Sequence, residues 1–489
     1  MHSHFDLGRR GFLGAFAATG AAFALPSAVS AGDAAGSPAP AAPAEPCDPI
    51  ACANGIPLAQ LNDRRPITLR PTTEQLAADA AMYKRFQTAF QAMIDFGTEY
   101  PTDPRGWNMQ QAIHGEMVSK FSDTTHNVHH GWYFLTWHRA YLYFLERILA
   151  WHLAQRGATI DQTFRMPVWD WEATETNVQF PTAYGNVWMG NIADGNLNPL
   201  WVAQRDIKVP LNLVALGANM QVMLSAPNSG PANFYGAAPI AGNGRNRQGA
   251  GENKAHNLVH NWVGGGFNGP SDPGTGWMSD LSVAAKDPLF FAHHANIDKT
   301  WSWYRSFKYS DEPASSEYRD VTWTFFDEQR RCVNVQAKDL IDYQNALRYH
   351  YAPVPSKYTG PPPPNAGRAL ALTNGHLGAV AAPPAGARVG LTLTDVPYKG
   401  SGTFEIIARG PSGSAVLGSF TITAHRGMNM GNATDVFLLI SEPARALLNQ
   451  ATTKLVVQKV TGRSGLLGAA AGGAAATELT ASKATLFVH

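Results

Sequence analysis

Four consecutive prolines at residues 361–364 divide this chain more sharply than any other feature. Each lacks a backbone N–H and holds φ near about −65°. Neither a helix nor a central strand can run through them. The two sides differ in period. Before the break, "TTEQLAADAAMYKRFQTAFQAMIDFG" (72–97), "HHGWYFLTWHRAYLYFLERIL" (129–149, continuing to Gly157) and "DPLFFAHHANIDKTWSWYRSF" (287–307) place apolar residues three and four apart. These spacings predict helices, with Gly97 and Gly157 as stops. After the break, "VGLTLTDV", "GTFEIIARG", "VLGSFTITAH", "DVFLLIS" and "TKLVVQKV" alternate between Gly-, Pro- and Asn-bearing turns. They predict short strands at sandwich spacing. The expected fold is therefore a mainly α domain followed by a C-terminal β-sandwich. Its segments are a leader at 1–31, an Ala/Pro linker at 32–46, a first domain at 47–351, a Pro-rich linker at 352–366 and a β-rich domain at 367–489. The low-complexity stretch 465–482 reads as a loop.

With 45 % hydrophobic and 15 % charged residues the bulk is globular. A net charge of +1 gives no electrostatic case for nucleic acid or an anionic surface. Three cysteines, Cys47, Cys52 and Cys332, are too few for a disulfide framework. Cys47 and Cys52 lie close enough to pair locally, which leaves Cys332 odd. No Cys-x-x-Cys is present, so a thiolate metal site is not expected. At the N-terminus, Arg9-Arg10 precede an apolar run of small residues and end at Val29-Ser30-Ala31. This pattern predicts a twin-arginine export signal and a periplasmic or extracellular location. The run is short for a membrane span, and no other segment reaches that length.

The histidines fall into two groups. His129 and His138 flank a loop-to-helix segment, with His114 upstream in "MQQAIHGEM". In "ENKAHNLVHNW", His256 and His260 stand at i and i+4, on one helical face. His294 in "DPLFFAHHANID" completes that set. Asp298, one turn on, is placed to accept its second ring N–H. An unpaired polar ring in such apolar segments costs about 1–3 kcal/mol, which metal coordination removes. Imidazole suits Cu, Zn, Fe and Ni. Asn257 follows His256 where an HExxH zinc hydrolase has Glu, which argues against that chemistry. Three neutral imidazoles per ion, with open positions, favour copper.

The stretch 129–149 resembles the copper A signature of the tyrosinase and polyphenol oxidase family: His, a gap, Phe, then Trp-His-Arg and a later Glu. "DPLFFAHHANID" resembles the copper B signature. "FFDEQRRCVNVQAKDLIDYQNALRYHY" (325–351) looks like the end of a plant-type catalytic domain, closing on Tyr349-x-Tyr351. With the leader, the resemblance implies a bacterial member with plant-type features.

It further implies a four-helix bundle carrying a dicopper centre, with two copper ions per chain. Copper A falls to His114, His129 and His138, and copper B to His256, His260 and His294. His126, His130, His152 and His293 fall off the pattern. Glu252, four before His256, stands where plant-type relatives have a Glu that holds a water. Asn257 occupies a position tied to phenol deprotonation. The plainer alternative makes Glu252 a helix N-terminal charge favoured by the dipole and Asn257 a surface amide. Leu281, six before Asp287, takes the place of a bulky gate residue over copper A. No Cys lies between His114 and His129, so the Cys–His thioether of many relatives cannot form from nearby sequence.

The implied partners are a phenolic small molecule and O2, with a copper chaperone for loading. The implied activity is ortho-hydroxylation of monophenols and oxidation of ortho-diphenols to ortho-quinones. Catechol oxidase without monophenolase activity and a haemocyanin-like oxygen carrier are the alternatives. The β-rich tail is similar to the shielding domain of latent polyphenol oxidases, and a stabilising appendage is the other reading.

Overall fold

The computed structural model describes residues 54–119, 127–157, 161–171, 178–189, 192–207, 210–239, 246–265, 276–370, 372–373, 376–377, 387–423, 431–450, 452–460, 477–479 and 483–488. The leader, Cys47, Cys52, His126 and most of the low-complexity stretch lie outside these residues. Among those described, no helix is long and apolar enough to cross a membrane.

Among the described residues, five long helices build the first part: α1 (Ala80–Glu99), α2 (Trp107–Ser119), α3 (Phe134–Gln155), α4 (Ala255–Gly264) and α5 (Leu289–Arg305). The 72–97 stretch is not one helix. It breaks at Asp79, whose carboxylate caps α1 by accepting from the N–H groups of Ala81 and Met82. Nor does Gly97 end α1. A Cβ there would meet the Trp107 nitrogen at 2.8 Å, so the residue is a point of close approach to the start of α2. α3 is buried over nearly its whole length and makes the centre of the helical core. Gly157 takes φ +84° just beyond it, and Gly265 does the same with φ +83° after α4.

β1 (Ile56–Pro57), β2 (Thr322–Phe326) and β3 (Cys332–Gln336) form a small sheet in the order β1-β3-β2. β1 runs parallel to β3 with Ile56 opposite Val333. Cys332, the first residue of β3, is disulfide-bonded. The expectation that Cys332 stays odd is therefore corrected. Spacing along the chain tells which cysteines are near in sequence, not which ones the fold brings within bonding distance.

After the prolines come β4 (Val389–Pro397), β5 (Gly402–Gly410), β6 (Gly413–Ile422), β7 (Ala433–Ile440), β8 (Lys454–Lys459) and β9 (Lys483–Val488). β6-β5-β8 form one antiparallel sheet and β7-β4-β9 the other, each extended by shorter strands. Between them lies a second core that includes Leu391, Leu393, Phe404, Phe420 and Leu438. Phe404 faces Phe420 across β5 and β6, rings stacked at 5.2 Å.

β7 joins the two cores. Val436, Leu438 and Ile440 point into the sandwich, whereas Phe437 and Leu439 pack on the helical core. The period of two along a strand puts alternate side chains on opposite faces, and here both faces are covered. Two glycines mark a second approach, where a Cβ on Gly217 would stand 2.8 Å from the Gly418 Cα.

Candidate metal centre

The helices deliver the histidines. His114 comes from α2, His138 from α3, His256 and His260 from α4, and His294 from α5. His129 sits in the loop before α3. Its neighbour His130 takes φ +62°, a left-handed conformation uncommon for a residue with a Cβ. That turn aims the His130 N–H at Glu252 Oε1, 3.0 Å away.

Two groups of nitrogen donors result. His114, His129 and His138 form one; His256, His260, His293 and His294 form the other, with donor atoms in each group within 4.8 Å of one another. All seven rings are buried. His293 was placed off the pattern by sequence, yet it stands in the second group. It packs on Trp171 at 4.8 Å and on His256 at 5.2 Å. The groups meet through His138 and His294, whose rings stack at 4.2 Å. Phe290 fills the space around them, 4.7 Å from His114 and 4.1 Å from His294. Phe134 covers His256 at 4.5 Å.

Hydrogen bonds set which nitrogen faces inward. A carbonyl oxygen only accepts, so His138 Nδ1 donates to the Phe134 carbonyl at 2.8 Å and His260 Nδ1 to the Met278 carbonyl at 2.7 Å. His256 Nδ1 donates to Asn257 Oδ1 at 2.8 Å. The Nε2 lone pairs are left for a ligand role. Nε2 of His138 and His256 and both nitrogens of His129 are buried with no hydrogen-bond partner. Nε2 of His260 and His294 stand 3.3 Å apart. Two nitrogens each ~2 Å from one ion at a tetrahedral angle would be ~3.3 Å apart. This donor set fits metal ions of imidazole preference, copper included.

Burial also sets the charge. It lowers His138 to about 3 and His260 to about 4, and holds His129, His256 and His294 well below the usual imidazole range. The rings are neutral near pH 7, the form a metal needs.

Asp298 does not reach His294. Its carboxylate accepts from Arg139 Nε at 2.5 Å and from the hydroxyls of Tyr349 and Tyr351, each at 2.6 Å. A buried guanidinium outcompetes an imidazole N–H for a carboxylate. The expected support of the copper ligand is therefore corrected to a lock between α3, α5 and the Tyr-x-Tyr segment. Leu281 is buried. Its segment lies against α2, where a Cβ on Gly115, next to His114, would meet the Ser282 carbonyl at 2.7 Å.

Glu252 and Asn257 are both buried, so the surface-amide alternative for Asn257 does not hold. Burial pushes the Glu252 carboxyl up to about 8. Sequence reading missed Gln248 and Lys254. Gln248 joins Glu252 to Asn257, and Lys254 is fully buried, with Nζ donating to the Ser419 carbonyl on β6 at 2.7 Å. Gln248 had a weak signal, four before Glu252. Lys254 had none.

The family model described as "Common central domain of tyrosinase" matches residues 104–306, and "Polyphenol oxidase middle domain" matches 312–363. The chain belongs to the tyrosinase and polyphenol oxidase family. Among relatives of this polyphenol oxidase-family chain, "Polyphenol oxidase latent form, chloroplastic" of Prunus armeniaca is 30% identical over 59% of this chain and 49% of its own length. "Catechol oxidase B, chloroplastic" of Solanum tuberosum is 27% identical over 62% and 52%. The chain thus spans about half the length of these curated relatives. The solved structure of latent apple tyrosinase shares the fold, with a TM-score of 0.57 at 19% identity, over 87% of this chain and 97% of that one. The helical core with a β-rich C-terminal region is the architecture expected from the sequence.

The expectation of twin-arginine export, and of a bacterial member, is corrected by these relatives, which are chloroplastic plant enzymes. The leader shares one trait with plastid transit peptides, a scarcity of acids, with Asp6 alone before Ala31.

Proposed function

We propose that this chain is a copper-dependent phenol oxidase that ortho-hydroxylates monophenols and oxidises ortho-diphenols to ortho-quinones with O2. The observation that carries this reading is the meeting of two buried imidazole groups, ring against ring, with inward nitrogens left for metal. In this reading His114, His129 and His138 hold one copper and His256, His260 and His294 the other. When bound, the pair supplies Cu(I)/Cu(II) cycling and sites for O2. The residues of the chain do the rest. Phe134 and Phe290 keep bulk water from the rings. Asn257 holds His256 in one tautomer. Glu252, beside the His130 N–H, is the group through which the phenol proton leaves, directly or by a water. Leu281 borders the entry.

Burial of every ligand ring supports assisted loading by a copper chaperone. Full loading of the metal-free chain by free copper within seconds would count against it. The strand domain is proposed to shield the site, which the similarity to a latent enzyme supports.

The test is the purified chain with copper counted, its near-ultraviolet absorption recorded under O2, and tyrosine assayed beside catechol. Two coppers, an oxygen-dependent band and turnover of both substrates are expected. Fewer than two coppers with catechol turnover intact would sink the dicopper reading. Catechol turnover alone makes the chain a catechol oxidase, and reversible O2 binding without turnover makes it a carrier.

A further inference from the structure

Asn257 and Gln248 carry amides whose two ends look alike in shape and opposite in chemistry. Their surroundings decide which end points where. The Thr421 carbonyl of β6 lies 2.7 Å from Asn257 Nδ2, and a carbonyl can only accept. Asn257 must therefore turn its NH2 to β6 and its Oδ1 to His256 Nδ1. The other N–H of the same NH2 goes to Gln248 Oε1 at 3.1 Å, which also accepts from Asn246 Nδ2 at 3.0 Å. With Oε1 so engaged, Gln248 presents Nε2 to Glu252 Oε1 at 2.7 Å. The His130 N–H donates to that same oxygen. Asn246, Gln248, Glu252 and Asn257 are all buried, each 2 % exposed or less.

We infer that Gln248 is a positioning residue for monophenol hydroxylation: it joins Glu252 to Asn257 in one polar chain whose direction is set by the main chain of β6. The inference rests on the phenol-oxidase reading above. It assigns the strand domain a part in shaping the site, because the Thr421 carbonyl removes the flipped state of Asn257 that would face its NH2 toward His256. Oxidation of a diphenol, whose first proton is lost more readily than that of a monophenol, depends less on where Glu252 is held.

The test is Gln248→Met in the full copper-loaded chain. Methionine keeps the length and removes both polar ends. Monophenol kcat is expected to fall about 10- to 100-fold, with catechol kcat within about twofold, KM for both little changed, and copper content and the oxygen-dependent band retained. An equal fall for both substrates, or no change in their ratio, overturns the inference. Gln248→Glu is the second variant, and it is read even if the first does not fold. It keeps acceptors for Asn257 and Asn246 but sets a second carboxyl against Glu252 in place of the N–H donor, and the same selective fall is expected; an unchanged ratio overturns the proposal. Failure of the underlying reading looks different, because the unmodified chain would then oxidise neither substrate. An unmodified chain that oxidises catechol but not tyrosine overturns this role and leaves the oxidase reading standing.

Discussion

At the residue scale, the histidines and Asp298 make opposite predictions. His256→Gln removes one proposed ligand and is expected to lower copper from two per chain toward one. Catechol oxidation should fall by more than roughly 100-fold. Elemental analysis of the purified variant with a parallel oxidase assay checks both. Asp298→Asn leaves the Arg139 guanidinium buried without its carboxylate. It should cost roughly 3–5 kcal/mol of stability, read by denaturant unfolding, while any folded fraction keeps two coppers. Copper loss at full stability would restore the support role expected from sequence. The difference shows what the sequence could carry. His256 and His260 were legible because a helix of fixed period puts i and i+4 on one face. The partner of Asp298 was not, because Tyr349 and Tyr351 arrive from about fifty residues away and spacing along one helix says nothing about them.

At the element scale, α2 to α5 hold neutral imidazoles in a buried interior, and acid opposes that. A buried histidine with a lowered folded pKa gains its proton first in the unfolded chain, whose value is about 6.5. Stability is complete above that pH. It falls as pH drops from about 6.5 toward 4 and 3, the values to which His260 and His138 are lowered. The melting temperature of the copper-free chain should therefore decline steadily over this window, and copper should be released over the same range. A melting temperature flat from pH 7 to pH 4.5 would contradict the buried neutral rings. The helices themselves were readable from apolar spacing. The break at Asp79 was not, because its cap interrupts a pattern whose hydrophobic period continues. Nor was the use of Gly97, since a stop signal and a close approach use the same residue type.

At the scale of the whole molecule, β7 belongs to both cores and β6 holds α4 through Lys254 and Asn257. A protease cut near residues 363–364, which are exposed, should leave the two pieces eluting together on gel filtration. If the strand domain shields the site, catechol oxidation should rise only when a mild detergent parts the pieces, and no gain after separation would count against shielding. The strands were legible from alternation; their docking was not, because both faces of β7 read simply as apolar. The grip on α4 is made by carbonyl oxygens of Ser419 and Thr421, which every amino acid carries. The embrace therefore asks of this strand only its backbone direction, while Phe420, between the two carbonyls, has its side chain buried in the sandwich core, so that one short run serves two masters at once.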